Sequence, residues 1–117
     1  MSEQSGGGSS DFCPRFHHAI ELIGKRWTGA VLRALLRGPR RFNELLSAIP
    51  DLSDRLLAER LRELESEEIV SRHVDPGPPV RVAYELTASG KELETALRCV
   101  GEWAERWVAP PKRKRTA

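Results

Sequence analysis

Residues 53–67 read SDRLLAERLRELESE, and they predict the helix around which the rest of the fold is arranged. Ser53 is a favoured N-cap residue, because its side-chain oxygen can accept a hydrogen bond from the first helical turn. Leu57, Leu61 and Leu64 follow at intervals of four and three, which is the spacing of one buried helical stripe. The opposite, solvent-facing side carries Arg55, Glu59, Arg62 and Ser66. The segment is therefore an amphipathic helix with a polar outer face.

Two shorter helices are predicted before this segment and a hairpin after it. Residues 27–37 and 41–49 carry apolar side chains at helical spacing, and each stretch ends at a proline or a Gly-Pro pair. Residues 69–74 and 80–86 flank the turn sequence DPGPP, and the second of them alternates apolar and polar side chains. Three short helices followed by a hairpin are the order of a winged helix-turn-helix, in which residues 53–67 enter the major groove of DNA.

A helix is predicted at each end of the pattern. The first opens at Cys13-Pro14, where proline suits the first helical position, and ends at Gly24. The last follows Thr87, and its apolar residues include Leu93, Leu97, Val100, Trp103 and Trp107. This is more apolar surface than one small domain covers, and Phe12 and Phe16 can add to it. We expect a fold that is mainly α with a small β-hairpin wing, and a homodimer formed by the N- and C-terminal helices.

The charge is unevenly distributed along the 117 residues, although the net charge is only +2. Every ionisable residue from Lys25 to Asn43 is basic, and residues 112–115 read KRKR. The acidic residues cluster instead in 51–68 and 92–105. Basic patches of this kind suit contact with phosphate. We expect a flexible leader over residues 1–10, one DNA-binding domain over 11–109 and a disordered basic tail over 110–117.

The composition excludes several classes of protein. No apolar run approaches the roughly 20 residues that cross a bilayer, and residues 1–10 lack the apolar stretch of a secretory signal. We therefore expect a cytoplasmic protein with no membrane partner. A phosphate-cradling glycine loop, paired carboxylates and a nucleophile–base motif are also missing, so we expect neither an enzyme nor a cofactor.

Several multi-residue blocks carry a family resemblance that covers nearly everything from Cys13 to Trp107. They are the CP at 13–14, GKRW at 24–27, GPRRFNEL at 38–45, IPDLS at 49–53, LAERLRELE at 57–65, PPV at 78–80 and YELTASG at 84–90. In these blocks the chain resembles the HxlR-type family of winged-helix regulators, which are related to the MarR group. The resemblance implies a dimer that binds an inverted-repeat operator in double-stranded promoter DNA. Members repress or activate transcription, and we expect a repressor.

The candidate DNA contacts follow from the predicted helix order. Arg55, Ala58, Glu59 and Arg62 face the groove, where arginine pairs with guanine and small apolar groups meet the thymine methyl. Ser53 at the helix N-terminus, and Arg41 at the start of the preceding helix, are placed to contact phosphate. Arg81 in the wing can enter the minor groove or touch the backbone. The alternative for each of these residues is an ordinary solvated surface.

Cys13 is the candidate sensing residue. It is the predicted N-cap of the first helix and lies near Arg15, and both the helix dipole and the arginine favour the thiolate. The GKRW variant is similar to the branch of the family whose members sense quinones, aldehydes or oxidants through a cysteine near the N-terminus. The alternative is an inert cysteine. We interpret Cys99 as a packing residue, with a resolving thiol across a dimer as the other possibility.

Other functions remain open at this point. Cys13 and His17 are one helical turn apart, but a closed zinc site needs four ligands, and His18, His73 and Cys99 show no suitable spacing, so we expect no metal. Arg60 lies near the apolar stripe and is interpreted as a structural ion-pair partner. The competing functions are a winged helix that binds only proteins, and a regulator that responds to a small ligand without thiol sensing.

Overall fold

The computed structural model describes residues 11–111. The predicted leader, and the predicted tail from residue 112 onward, lie outside the described residues. The helices are α1 (Pro14–Ile23), α2 (Thr28–Leu35), α3 (Phe42–Ala48), α4 (Asp54–Ser66) and α5 (Ala88–Trp107). The strands are β1 (Arg40–Arg41), β2 (Val70–Asp75) and β3 (Arg81–Leu86). All five predicted helices and the hairpin are confirmed.

The sheet contains a third strand that the sequence did not predict. Its order is β1-β3-β2, and all neighbours are antiparallel. In β1, Arg40 pairs with Tyr84 and Arg41 with Ala83, so the wing is fastened to the start of α3. A strand of two residues is too short to show an alternation of apolar and polar side chains. It forms only through its pairing with β3, which the local sequence does not reveal.

The core lies between α2, α3, α4 and the base of the sheet. Its buried apolar residues are Val31, Leu32, Leu35, Leu45, Ile49, Leu52, Leu57, Leu61, Leu64, Ile69, Val70 and Leu86. The predicted leucine stripe of α4 is fully part of it. A continuous core of this kind fixes α4 relative to α2 and α3, and this leaves the outer face of α4 toward solvent.

The junction between the wing and α5 is held by the hydroxyl of Thr87, which caps the helix, and by a close approach of the Gly90 backbone to Ile69. Thr87 Oγ1 accepts the Gly90 N–H at 3.2 Å and donates to the Glu68 carbonyl at 2.7 Å. A Cβ on Gly90 would lie 2.4 Å from the Ile69 carbonyl oxygen, so only glycine lets α5 start this close to the sheet.

The two terminal helices lie mostly outside the core. No residue of α1 is buried, and Gly90 is the one buried residue of α5. Leu93 and Leu97, which the sequence assigned to the dimer surface, instead pack against the core of their own chain. Val100, Trp103 and Trp107 lie further along α5 toward its C-terminal end and remain exposed.

Candidate nucleic-acid interface

Helix α4 begins with the predicted cap. Ser53 is its N-cap, and the Ser53 Oγ accepts the Leu56 N–H at 3.1 Å. The hydroxyl oxygen is thus used within the helix, while its proton stays available to donate. Ser53 can therefore satisfy its own helix and still donate a hydrogen bond to a phosphate oxygen.

The outer face of α4 presents two arginines. Arg55 and Arg62 are exposed and lie two turns apart, about 10 Å along the axis. Within residues 11–111 neither side chain has a hydrogen-bond or salt-bridge partner. Ala58 is partly buried at the edge of this face, and Glu59 is partly exposed with its carboxylate 3.8 Å from the Arg60 guanidinium. Two free guanidinium groups on one helix face are suited to base edges or phosphates.

Arg60 holds α4 in place, as the sequence predicted. Its side chain is only 12% exposed. The Nε donates to the Arg26 carbonyl at 2.9 Å, and an Nη1 donates to the Glu63 carboxylate at 3.1 Å. Arg60 therefore serves the packing of α4 and is not part of its outer face.

Two further side-chain contacts join the α1 region to α4, and we call them the α1–α4 contacts. His18 Nε2 lies 3.0 Å from the Glu67 carboxylate, and Lys25 Nζ lies 3.0 Å from the Glu63 carboxylate. Lys25 belongs to the basic stretch 25–43, but it has a carboxylate partner within its own chain. Its charge is paired with a residue 38 positions away, a contact that no local pattern predicts.

Arg41 precedes α3, as predicted, but its charge is shared. Its backbone N–H donates to Glu44 Oε1 at 2.8 Å, and its guanidinium lies 3.5 Å from Glu44 Oε2. The hydrogen bond from the Arg41 backbone, together with the Arg41 charge, lowers the pKa of Glu44. A phosphate at this position would compete with Glu44 for the guanidinium.

The wing carries one predicted and one additional cation. Arg81 opens β3 beside the Pro-rich turn and is exposed, and its partner in register is Asp75, whose carboxylate accepts the Gly77 N–H at 3.2 Å. Arg72 on β2 is also exposed and pairs in register with Tyr84, which puts it on the opposite face of the hairpin. Arg72 was not among the predicted contacts, although an arginine in a strand next to the wing turn is a usable signal.

Cys13 is the N-cap of α1 and is exposed, as predicted. Its carbonyl accepts the His17 N–H at 2.9 Å, and its thiol caps no backbone group. Cys99 is also exposed with a free thiol, so it does not pack within its own chain, and packing or a resolving role across a dimer stays a prediction. It lies beside the exposed face of Val100 and Trp103, while Leu97 makes the contact with the core.

The described histidines lie against three separate glutamates. His17 is 3.4 Å from Glu21, His18 contacts Glu67, and His73 is 3.3 Å from Glu85. Among residues 11–111 there is no group of three or more His, Cys, Asp or Glu side chains that could hold a metal ion. The same part of the chain contains no helix long and apolar enough to span a bilayer.

Comparison with known proteins matches this geometry to transcription regulators. Residues 22–112 match the profile of HxlR-like helix-turn-helix proteins. The HTH-type transcriptional regulator YvaP of Bacillus subtilis is 46% identical over 101 residues, covering 86% of this chain and 94% of YvaP. The HTH-type transcriptional regulator YodB of the same organism is 44% identical over 98 residues, covering 84% of this chain and 88% of YodB.

Solved structures give the same result for the fold. The reduced form of YodB from B. subtilis superposes with a TM-score of 0.77 at 42% identity, covering 86% of this chain and 99% of YodB. YodB has also been solved in a diamide-treated form and in a quinone-bound form. The oxidized form of the redox regulator HypR superposes with a TM-score of 0.77 at 35% identity, covering 84% of this chain and all of HypR.

Proposed function

The chain belongs to the HxlR-like helix-turn-helix family of DNA-binding transcription regulators, and we propose that it acts as a homodimeric repressor with a thiol sensor at Cys13. The observation that carries the DNA-binding part is the outer face of α4, where Arg55 and Arg62 are exposed and have no ion-pair partner in residues 11–111. The functional unit is residues 11–109.

The proposed DNA contacts divide by the element that carries them. Helix α4 enters the major groove with Arg55 and Arg62 toward base edges, and with Ala58 and Glu59 at the sides of the same face. Ser53 at the N-terminus of α4 and Arg41 at the start of α3 contact phosphates. These contacts fix the position of α4 along the DNA without reading the base sequence. Arg81 contacts the minor groove or the backbone from the wing, and Arg72 supplies a second positive charge on the other face of the hairpin.

The proposed dimer uses the faces that the core leaves exposed. Phe16 and Ile20 on α1 are 66% and 47% exposed, and Trp103 and Trp107 on α5 are 58% and 69% exposed. Two copies that bury these faces symmetrically remove large apolar areas from water. The two α4 helices then read inverted half-sites about one helical turn of DNA apart, or a small multiple of it.

Two observations support the thiol sensor: the position of Cys13, and the similarity of this chain to regulators that respond to quinone or to redox state. The sulfur is exposed at the positive end of α1, with Arg15 on the first turn. YodB has been solved with a quinone bound, and HypR is a redox regulator. For this chain, the thiolate adds to a ring carbon of the quinone, and the quinone oxygen takes up a proton. With diamide, two thiols instead lose two electrons and two protons to the reagent and form a disulfide.

The α1–α4 contacts provide a route from the sensor to the DNA. Helix α1 carries Cys13 at its start and His18 in its middle, and His18 contacts Glu67 at the end of α4. A modification that shifts α1 at the dimer interface thus acts on both the spacing of the subunits and the position of α4. Both recognition helices must fit one fixed half-site spacing, so a small rotation releases the DNA.

The test is footprinting of the purified protein on its own upstream region, first with reduced thiols and then after diamide or quinone. A protected inverted repeat that is lost after oxidation supports the proposal. The alternative, a module that binds only proteins, predicts no salt-dependent shift of any promoter duplex.

A further inference from the structure

A groove of about 940 Å³ lies between α2 and α3, away from the outer face of α4. Its floor includes Trp27, Ala34 and Ile49, and three arginines line it: Arg33, Arg37 and Arg40. Arg33 lies in the last turn of α2, Arg37 lies in the turn that follows the C-cap Leu36, and Arg40 comes from β1. The single stretch 33–40 thus brings three positive charges around an apolar floor.

Only part of the positive charge of this groove is neutralised within the described residues, because the pKa of Glu44 is lowered by the backbone hydrogen bond from Arg41 and also by the charge of Arg40. Neither Arg33 nor Arg37 has a side-chain hydrogen bond or salt bridge there. The one acidic residue in the lining is Glu44, and it is engaged by the backbone N–H and the guanidinium of Arg41. A basic residue in the last turn of a helix is favourable by itself, which accounts for Arg33 on α2. It does not account for Arg40, which lies on a strand beyond that end.

We propose that this groove binds a small aromatic carboxylate or a similar organic anion. A guanidinium group matches a carboxylate with two parallel hydrogen bonds, and the apolar floor accepts a ring. The volume lies in the range of ordinary ligand pockets, which are mostly apolar with a few polar groups that fix orientation. DNA phosphate is the competing occupant, but a phosphodiester would leave the surface of Trp27, Ala34 and Ile49 without an apolar partner.

The site lies between two helices of the helix-turn-helix unit. A bound anion would bridge Arg33 at the end of α2 and Arg37 in the following turn to Arg40 in β1. The proposal concerns ligand binding alone and is tested without DNA. Its failure therefore leaves the DNA-binding function untouched, and failure to bind DNA leaves this proposal standing.

The experiment is isothermal titration of the full chain with 2-naphthoate, with its neutral counterpart 2-naphthylmethanol, and with inorganic phosphate. We expect naphthoate to bind at least about tenfold more tightly than naphthylmethanol, and phosphate to bind more weakly than naphthoate. The double variant Arg33→Gln/Arg37→Gln should lose about tenfold or more in naphthoate affinity. Arg106→Gln on α5, which removes one charge outside the groove, should bind as the wild type does.

Three results would overturn the proposal. Equal affinity for naphthoate and naphthylmethanol would mean that the arginines do not recognise the carboxylate. Phosphate binding as tight as naphthoate binding would identify a backbone-phosphate site. An unchanged affinity in Arg33→Gln/Arg37→Gln would place the naphthoate elsewhere, such as at the exposed tryptophans of α5. As a second measurement, naphthoate should shift the indole N–H resonance of Trp27 and leave that of Trp107 in place.

Discussion

The Lys25 ammonium group lies 3.0 Å from the Glu63 carboxylate, and this pair fastens the turn after α1 to the last turn of α4. Glu63 also accepts from Arg60, whose Nε donates to the carbonyl of Arg26 in the same turn. The orientation of the recognition helix is therefore set partly by charges and not only by the leucine stripe. Because Arg60 is largely buried, its guanidinium depends on these partners.

Replacing Glu63 with Gln should reduce the free energy of unfolding by about 1–2 kcal/mol, because Lys25 loses its charged partner and Arg60 keeps only the longer 3.8 Å contact with Glu59. The matched control is Glu94→Gln, which removes the 3.6 Å pair with Arg98 on the exposed surface of α5. That control should change stability by less than about 0.5 kcal/mol. Urea unfolding of both variants at one protein concentration measures the difference. Equal effects would show that the Glu63 pairs are only surface contacts.

The sequence predicted the parts of this fold that depend on local chemistry. The cap at Ser53, the stripe of Leu57, Leu61 and Leu64, and the proline at the start of α1 each act within a few residues. The hairpin and its Pro-rich turn are local in the same sense. The exposed positions of Arg55 and Arg62 followed directly from the stripe, since the opposite side of an amphipathic helix faces water.

The parts that were missed depend on contacts between distant residues. Strand β1 forms only against β3, and Lys25 pairs with Glu63 across 38 positions. Cys99 was placed with the packing residues because Leu97 and Val100 are apolar, but α5 turns only one of those two toward the core. Periodicity shows that a helix has an apolar face; it does not show which part of a wide face the chain itself covers.

Arg62→Ala should weaken operator binding by about 1–3 kcal/mol and relax the preference at one base pair of each half-site, because a base contact is lost. Fluorescence anisotropy with the operator and with single-base variants of it measures both effects. Arg98→Ala on α5 removes the same charge far from α4 and should leave the affinity near that of the wild type. Unchanged operator affinity in Arg62→Ala would remove this residue from the groove.

Arg41→Ala should weaken binding to operator and to random duplex by similar factors, and lower the salt dependence of log K by about one. Glu44→Gln should have the opposite effect, since Gln keeps an acceptor for the Arg41 N–H while releasing the guanidinium from its anionic partner. Titrations at several salt concentrations measure both variants. A loss confined to the operator would mean that Arg41 reads sequence and does not contact phosphate.

Trp103→Glu should convert the protein to a monomer at micromolar concentration, because a carboxylate in the proposed interface would be buried without a partner. The control is Glu102→Ala, the neighbouring residue on a different face of α5, which should stay dimeric. Light scattering coupled to size exclusion gives the mass of each. A wild-type protein with the mass of one chain would contradict the dimer itself.

Cys13→Ser should bind operator as the wild type does when thiols are reduced, and should keep binding after diamide or quinone. Serine replaces the sulfur with a similar small polar atom, and the Cys13 thiol makes no capping hydrogen bond that would be lost. The wild type should lose operator binding, because an adduct or a disulfide at the start of α1 displaces that helix at the dimer interface.

The variant Cys99→Ser distinguishes quinone addition from disulfide formation. If the diamide-induced disulfide joins Cys13 to the partner's cysteine at position 99, Cys99→Ser should resist diamide. It should still respond to quinone, since addition of a thiolate to a ring carbon needs only one thiol. Gel-shift titrations of the three proteins, with intact masses measured in parallel, test each step. Equal sensitivity of wild type and Cys13→Ser would leave a DNA-binding dimer whose cysteine at position 13 has no sensing role.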